Sequence, residues 1–90
     1  MRIVQHFVRE SVFDSKIKEI ARSYERMHEF DQAIEWGLER NPKQFYNICE
    51  DFYLWKTERL VSEIPQLRIL YRYVESEKTV YFVAVDEIKP

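Results

Sequence analysis

The sequence predicts an α+β fold, a helical hairpin packed on a small antiparallel sheet in the order β-α-α-β-β-β. Three observations predict it. Apolar residues step by three and four from Phe13 onward, which is the period of a helix. They alternate strictly from Tyr53 onward, which is the period of a strand. The chain is 90 residues long, which suits one domain over residues 1–90.

Residues 2–9 read as a short strand, with Ile3 and Phe7 on one face and Val4, His6 and Val8 on the other. Ser11 then offers a helix N-cap, with Asp14 three residues later in a weak capping-box position. Phe13, Ile17, Ile20, Tyr24 and Met27 form one stripe, which continues through Phe30, Ile34 and Leu38. Lys16, Lys18, Glu19, Arg22, Glu25 and Arg26 fall on the wet side. One long helix and two antiparallel helices both fit. Two are favoured, because one helix over this span is long for so small a domain. The break is expected at His28–Asp31, with Asp31 as a second N-cap. Asn41-Pro42 closes the helical run, since the residue before Pro is pushed out of the helical region.

Residues 43–52 are ambiguous. In residues 53–60, Tyr53, Trp55 and Thr57 share a face opposite Leu54 and Lys56. In residues 66–74, Leu67, Ile69, Tyr71 and Tyr73 share one face, and Arg68, Leu70, Arg72 and Val74 the other. In residues 79–86, Val80, Phe82 and Ala84 alternate with Tyr81, Val83 and Val85. The polar Glu75–Lys78 segment fits a hairpin connection. The last two strands are the richest in Val, Ile and aromatics and are expected at the centre of the sheet.

Composition narrows the function classes. Apolar residues make up 46% of the chain, with six Tyr, six Phe and two Trp, enough for an aromatic core in a short chain. The formal net charge of -2 argues against binding nucleic acid over the whole surface. Cys49 is the only cysteine, so no internal disulfide and no multi-thiolate zinc site can form. That usage, the lack of a signal-peptide core in MRIVQHFVRE and the lack of an apolar run of membrane-spanning length point to the cytoplasm and to no membrane partner. No metal and no cofactor is expected.

Few residues suggest catalysis. His6 and His28 are far apart and lack metal-ligand spacing, so they read as surface or core residues. Cys49 reads as a buried inert thiol. Gly37 is the only glycine, which excludes a Gly-rich phosphate loop. Its place inside a helical pattern suggests close packing of helix on sheet. The most suggestive group is basic: Lys56, Arg59, Arg68 and Arg72. Arg68 and Arg72 are four apart on a strand and point the same way. With Lys56 from a neighbouring strand they would form a patch for phosphate or an acidic peptide. The plainer reading is a solvated face balanced by Glu58, Glu63 and Glu75. The apolar run Val80–Val85 suggests burial on both faces, so a partner segment or a second copy is expected to cover the face the helices leave open.

The order β-α-α-β-β-β and the segment EIPQLRILYRYVESEKTVYFVAVDEI resemble the RelE/ParE superfamily of type II toxin–antitoxin toxins. Arg68-Ile69-Leu70-Tyr71, the turn Glu75–Lys78 and the strand opening with Thr79 and Val80 carry the likeness. FYLWKTERL is similar to the family's second strand, and Glu39-Arg40-Asn41-Pro42 to the end of its helical hairpin. The resemblance implies a growth-inhibiting toxin neutralised by a cognate antitoxin. RelE-like members cleave mRNA on the ribosome with basic side chains and a C-terminal Tyr or His. ParE-like members inhibit DNA gyrase by binding. Lys56 and Arg68 match basic positions of the family. Asp86-Glu87-Ile88-Lys89-Pro90 stands where its nucleases carry a basic stretch and then Tyr or His, so the ParE-like branch is favoured and an endoribonuclease is the alternative. A non-toxic interaction module of the same fold is the third reading, and a homodimer is among the expected partners.

Overall fold

A computed structural model describes residues 3–24, 26–57 and 65–88. The elements are β1 (His6–Arg9), α1 (Ser11–Ala21), α2 (Met27–Leu38), β2 (Tyr46–Cys49), β3 (Phe52–Lys56), β4 (Leu67–Val74) and β5 (Thr79–Glu87). The expected α+β class and helix pair are there. The sheet carries one strand more than expected, because the ambiguous 43–52 segment supplies β2. The five strands run in the order β1-β5-β4-β3-β2. Antiparallel pairing joins β2 through β5, whereas β1 lies parallel to β5, with Phe7 opposite Val80. The sheet is therefore mixed. β4 and β5 are central, as their composition predicted.

Both helices bury their stripes: Phe13, Ile17 and Ile20 from α1, and Met27, Ile34 and Leu38 from α2. They meet Tyr53, Leu67, Ile69, Tyr71, Tyr73, Val80, Phe82 and Val85 on the inner face of the sheet. Phe13 stacks on Phe82 at 5.0 Å between ring centroids, within the range where aromatic pairs attract beyond simple burial. Gly37 packs against β3 as expected. A Cβ there would lie 3.3 Å from the Trp55 ring.

Several local expectations are corrected. Ser11 is the first helical residue and not the N-cap. Glu10 holds that position, with extended backbone and no side-chain cap bond. α1 ends at Ala21 and α2 begins at Met27, so the break comes ahead of His28–Asp31. Asp31 does not cap α2; it sits within the helix, where Arg9 engages both its carboxylate and its carbonyl oxygen. Val4 is fully buried while Ile3 is 39% exposed, the reverse of an unbroken alternation. Strand pairing begins only at His6. Before it, the Ile3 and Val4 amides both donate to the Glu39 carbonyl at the end of α2, which breaks the phase.

Val85 is buried where Ala84 was expected. The register slips between Leu70 and Tyr71: Leu70 lies opposite Ala84, but Tyr71 lies opposite Phe82. One extra residue on β5 forms a bulge, and every side chain beyond it changes face. Cys49 is exposed, not buried, because β2 is an edge strand with all four residues in solvent. β3 ends at Lys56; residues 58–60 of the expected strand lie outside the described residues.

Candidate functional site: the outer face of the sheet

Helices cover one face of the sheet and leave the other open. Cross-strand register sorts that outer face into three rows. The middle row is apolar: Tyr46 is opposite Leu54, Leu54 opposite Leu70, and Leu70 opposite Ala84. Residues directly opposite one another on a sheet point to the same side, so these four form a band across β2, β3, β4 and β5. Ile48, Leu54, Leu70 and Ala84 line a shallow depression of about 280 Å³, with Arg68 and Asp86 at one rim. Tyr46 and Ile48 are 73% and 47% exposed, so apolar surface continues onto the sheet edge.

The first flanking row is Lys56, Arg68 and Asp86. Arg68 Nη2 lies 3.1 Å from Asp86 Oδ2, and both side chains are largely in solvent. Such a pair contributes little to stability. Lys56 is exposed and makes no ion pair with a described residue.

The second flanking row is Phe52, Arg72 and Tyr81. Arg72 forms a two-pronged pair with Asp51, at 3.3 Å from Nε and 3.0 Å from Nη2. Its guanidinium lies 5.4 Å from the Phe52 ring centroid and 5.8 Å from that of Tyr81, within reach of cation–π attraction. The Arg72 hydrogen bond holds the Asp51 carboxyl below the usual carboxylate range. The Tyr81 hydroxyl donates to Glu77, which raises the phenol pKa and keeps it protonated.

Arg68 and Arg72 thus share the outer face, as their spacing predicted, and cross-strand register adds Lys56 to it. Lys56 and Arg68 are direct neighbours, and Leu70 separates them from Arg72. Arg59 lies outside the described residues, as do Glu58 and Glu63. The carboxylates that balance the two arginines are Asp86 and Asp51, whereas Glu75 pairs instead with Lys43 at 3.1 Å. Sequence reading missed Asp51, Phe52 and Tyr81 as neighbours of Arg72. Cross-strand register assembles them, and alternation within a strand does not report register. It also missed the continuity of the apolar band, although the run Val80–Val85 had signalled that the open face lacks a cover.

Acid–base chemistry is sparse on this face and elsewhere among the described residues. Lys43, Asp51, Tyr71, Arg72 and Tyr81 have displaced pKa values, and each moves away from neutrality. A general acid–base step works best with a group tuned toward the operating pH. Among the described residues no cluster of His, Cys, Asp or Glu is arranged to hold a metal ion. Among the same residues no helix is long and apolar enough to cross a membrane.

No family model matches the chain, and no curated protein matches it. Among solved structures it is similar to a chain of the intact E. coli RelBE toxin–antitoxin complex, with 12% identity and a TM-score of 0.53 over 94% of this chain and 98% of that one. At that identity the likeness is one of architecture, and it extends over the helix pair and the five-stranded sheet alike: the fold is RelE-like.

Proposed function

We propose that this chain is a toxin-like protein of the RelE-like fold that acts by binding, in the manner of the ParE-like branch, and that an antitoxin-like protein holds it in check. The target would dock on the outer face of the sheet. The observation that carries this reading is the pairing of both outer-face arginines. Arg68 is matched by Asp86 and Arg72 by Asp51. An RNA backbone brought to this face would meet those carboxylates, and like charges at contact distance repel. The displaced acid–base groups give no support to a cleavage step. An apolar band between two rows of mixed charge suits a protein surface better than a polyanion.

The same ion pairs favour, as a second reading, an interaction module without toxicity. Induced expression in a bacterium separates the readings. Growth arrest with cellular mRNA intact is the expected result, relieved by Leu70→Glu in the apolar band. Arrest accompanied by cleavage of ribosome-bound mRNA would instead make the chain an endoribonuclease acting through Lys56, Arg68 or Arg72. Unimpaired growth at high expression would leave the interaction module.

A further inference from the structure

We infer that the outer face of the sheet is self-complementary and pairs two copies of this chain face to face about a twofold axis running along the strands between β4 and β5. This goes beyond the proposed toxin-like role and does not depend on it. The three cross-strand pairs at the centre of the face join unlike partners: Arg68 with Asp86, Leu70 with Ala84, and Arg72 with Tyr81. A twofold axis between the two strands lays β4 of one copy over β5 of the other in the same rows. Arg68 then faces the partner's Asp86, Leu70 fits over the partner's Ala84, and Arg72 meets the ring of the partner's Tyr81. Each of these contacts occurs twice, as a twofold interface requires. Opposite charges meet, a large side chain meets a small one, and a guanidinium meets an aromatic face.

The charges also select the axis. A twofold between β3 and β4 would set Lys56 against the partner's Arg68, two cations opposed twice. The β4–β5 axis avoids that clash. The apolar middle row supplies the desolvation that surface ion pairs lack.

The size of the face sets the strength. β4 and β5 are 8 and 9 residues long. Strands about 4.8 Å apart rising about 3.3 Å per residue give these two strands a footprint of roughly 300 Å² per copy. A total on the order of 600 Å² lies below the range of stable specific interfaces and fits a weak, transient pairing. The association is therefore reversible and concentration-dependent, and the dimer hides the face proposed above for the target.

Sedimentation equilibrium of the purified chain from about 1 µM to about 1 mM tests this, with mass rising from monomer toward dimer. Asp86→Arg should weaken the dimer by about tenfold or more, because each Arg68 then faces a cation. Adding Arg68→Asp to it should restore the association, since the opposed pairs become unlike again. Leu70→Glu should abolish the dimer while the far-ultraviolet circular dichroism stays that of the wild type. A monomer throughout the range, whether the face is bare or takes up a foreign segment, overturns the inference. So does a dimer that neither Asp86→Arg nor Leu70→Glu weakens. Growth arrest tests the toxin-like role separately, so the failure of one is distinguishable from the failure of the other.

Discussion

The Tyr71 hydroxyl, on a ring fully buried beneath the helices, donates a 2.6 Å hydrogen bond to the Pro42 carbonyl oxygen. This contact ties the central strand to the loop that follows α2. The Tyr71 ring also stacks on Tyr53 at 5.4 Å.

Tyr71→Phe keeps the ring packing and removes the donor, leaving a carbonyl oxygen without its partner. The expected loss is about 1–2 kcal/mol in urea unfolding, with an unchanged denaturant slope. Burial raises the pKa of Tyr71 well above the ordinary tyrosine value of 10.0. The folded state therefore keeps a proton that the unfolded state releases. Stability from this source is intact below pH 10 and falls as pH rises above it. In Tyr71→Phe that alkaline decline should flatten.

Arg9 joins β1 to α2. Its guanidinium pairs with Asp31 and Glu35, donates at 2.9 Å to the Asp31 carbonyl oxygen, and lies over the Phe13 and Phe82 rings. Only 21% of the side chain is exposed. Arg9→Ala is expected to cost about 2 kcal/mol, and Arg9→Lys about half of that because an ammonium cannot reproduce the planar fork. Thermal and urea denaturation of the two variants measure the difference.

The Asp51–Arg72 pair is expected to make stability sensitive to acid. Arg72 lowers the Asp51 pKa from its usual 3.8. A carboxyl with a depressed folded pKa stabilises above its unfolded pKa, and that contribution disappears as pH falls through the folded value. Unfolding midpoints of Asp51→Asn should show a shallower decline below pH 4 than the wild type. Equal declines in the two proteins would mean that the pair carries no pH-dependent stability.

Gly37 sits 3.3 Å, in Cβ terms, from a Trp55 ring that is itself stacked on Phe45 at 4.7 Å. Gly37→Ala should come out within about 1 kcal/mol of the wild type, because better helix propensity offsets the crowding. Gly37→Ile, which cannot fit without displacing the stack, is expected to cost about 2–3 kcal/mol. Chemical denaturation with tryptophan fluorescence reads both the stability and the disturbance at Trp55.

Residue periodicity carried much of the fold. The stripe from Phe13 to Leu38 and the alternation of Leu67, Ile69, Tyr71 and Tyr73 were legible because side-chain direction in a helix or strand repeats over a few residues. The helix caps were less so. Ser11 and Asp31 have the right chemistry for capping, but Asp31 is claimed by an arginine 22 residues away. The short edge strand β2 escaped notice because its exposed residues carry no burial pattern to read.

Local patterning alone reports an α+β chain with a long amphipathic helical stripe that favours two helices over one, two central apolar strands and basic residues on one side of the strands. Local steric and hydrophobic periods suffice for that. Long-range packing sets the parallel run of β1 beside β5, the bulge that turns Val85 inward in place of Ala84, and the carboxylates that meet Arg68 and Arg72. Those outcomes depend on the register between strands that are distant in the chain. Register is a collective result of packing, and a shift of one residue would send each of these side chains to the opposite face.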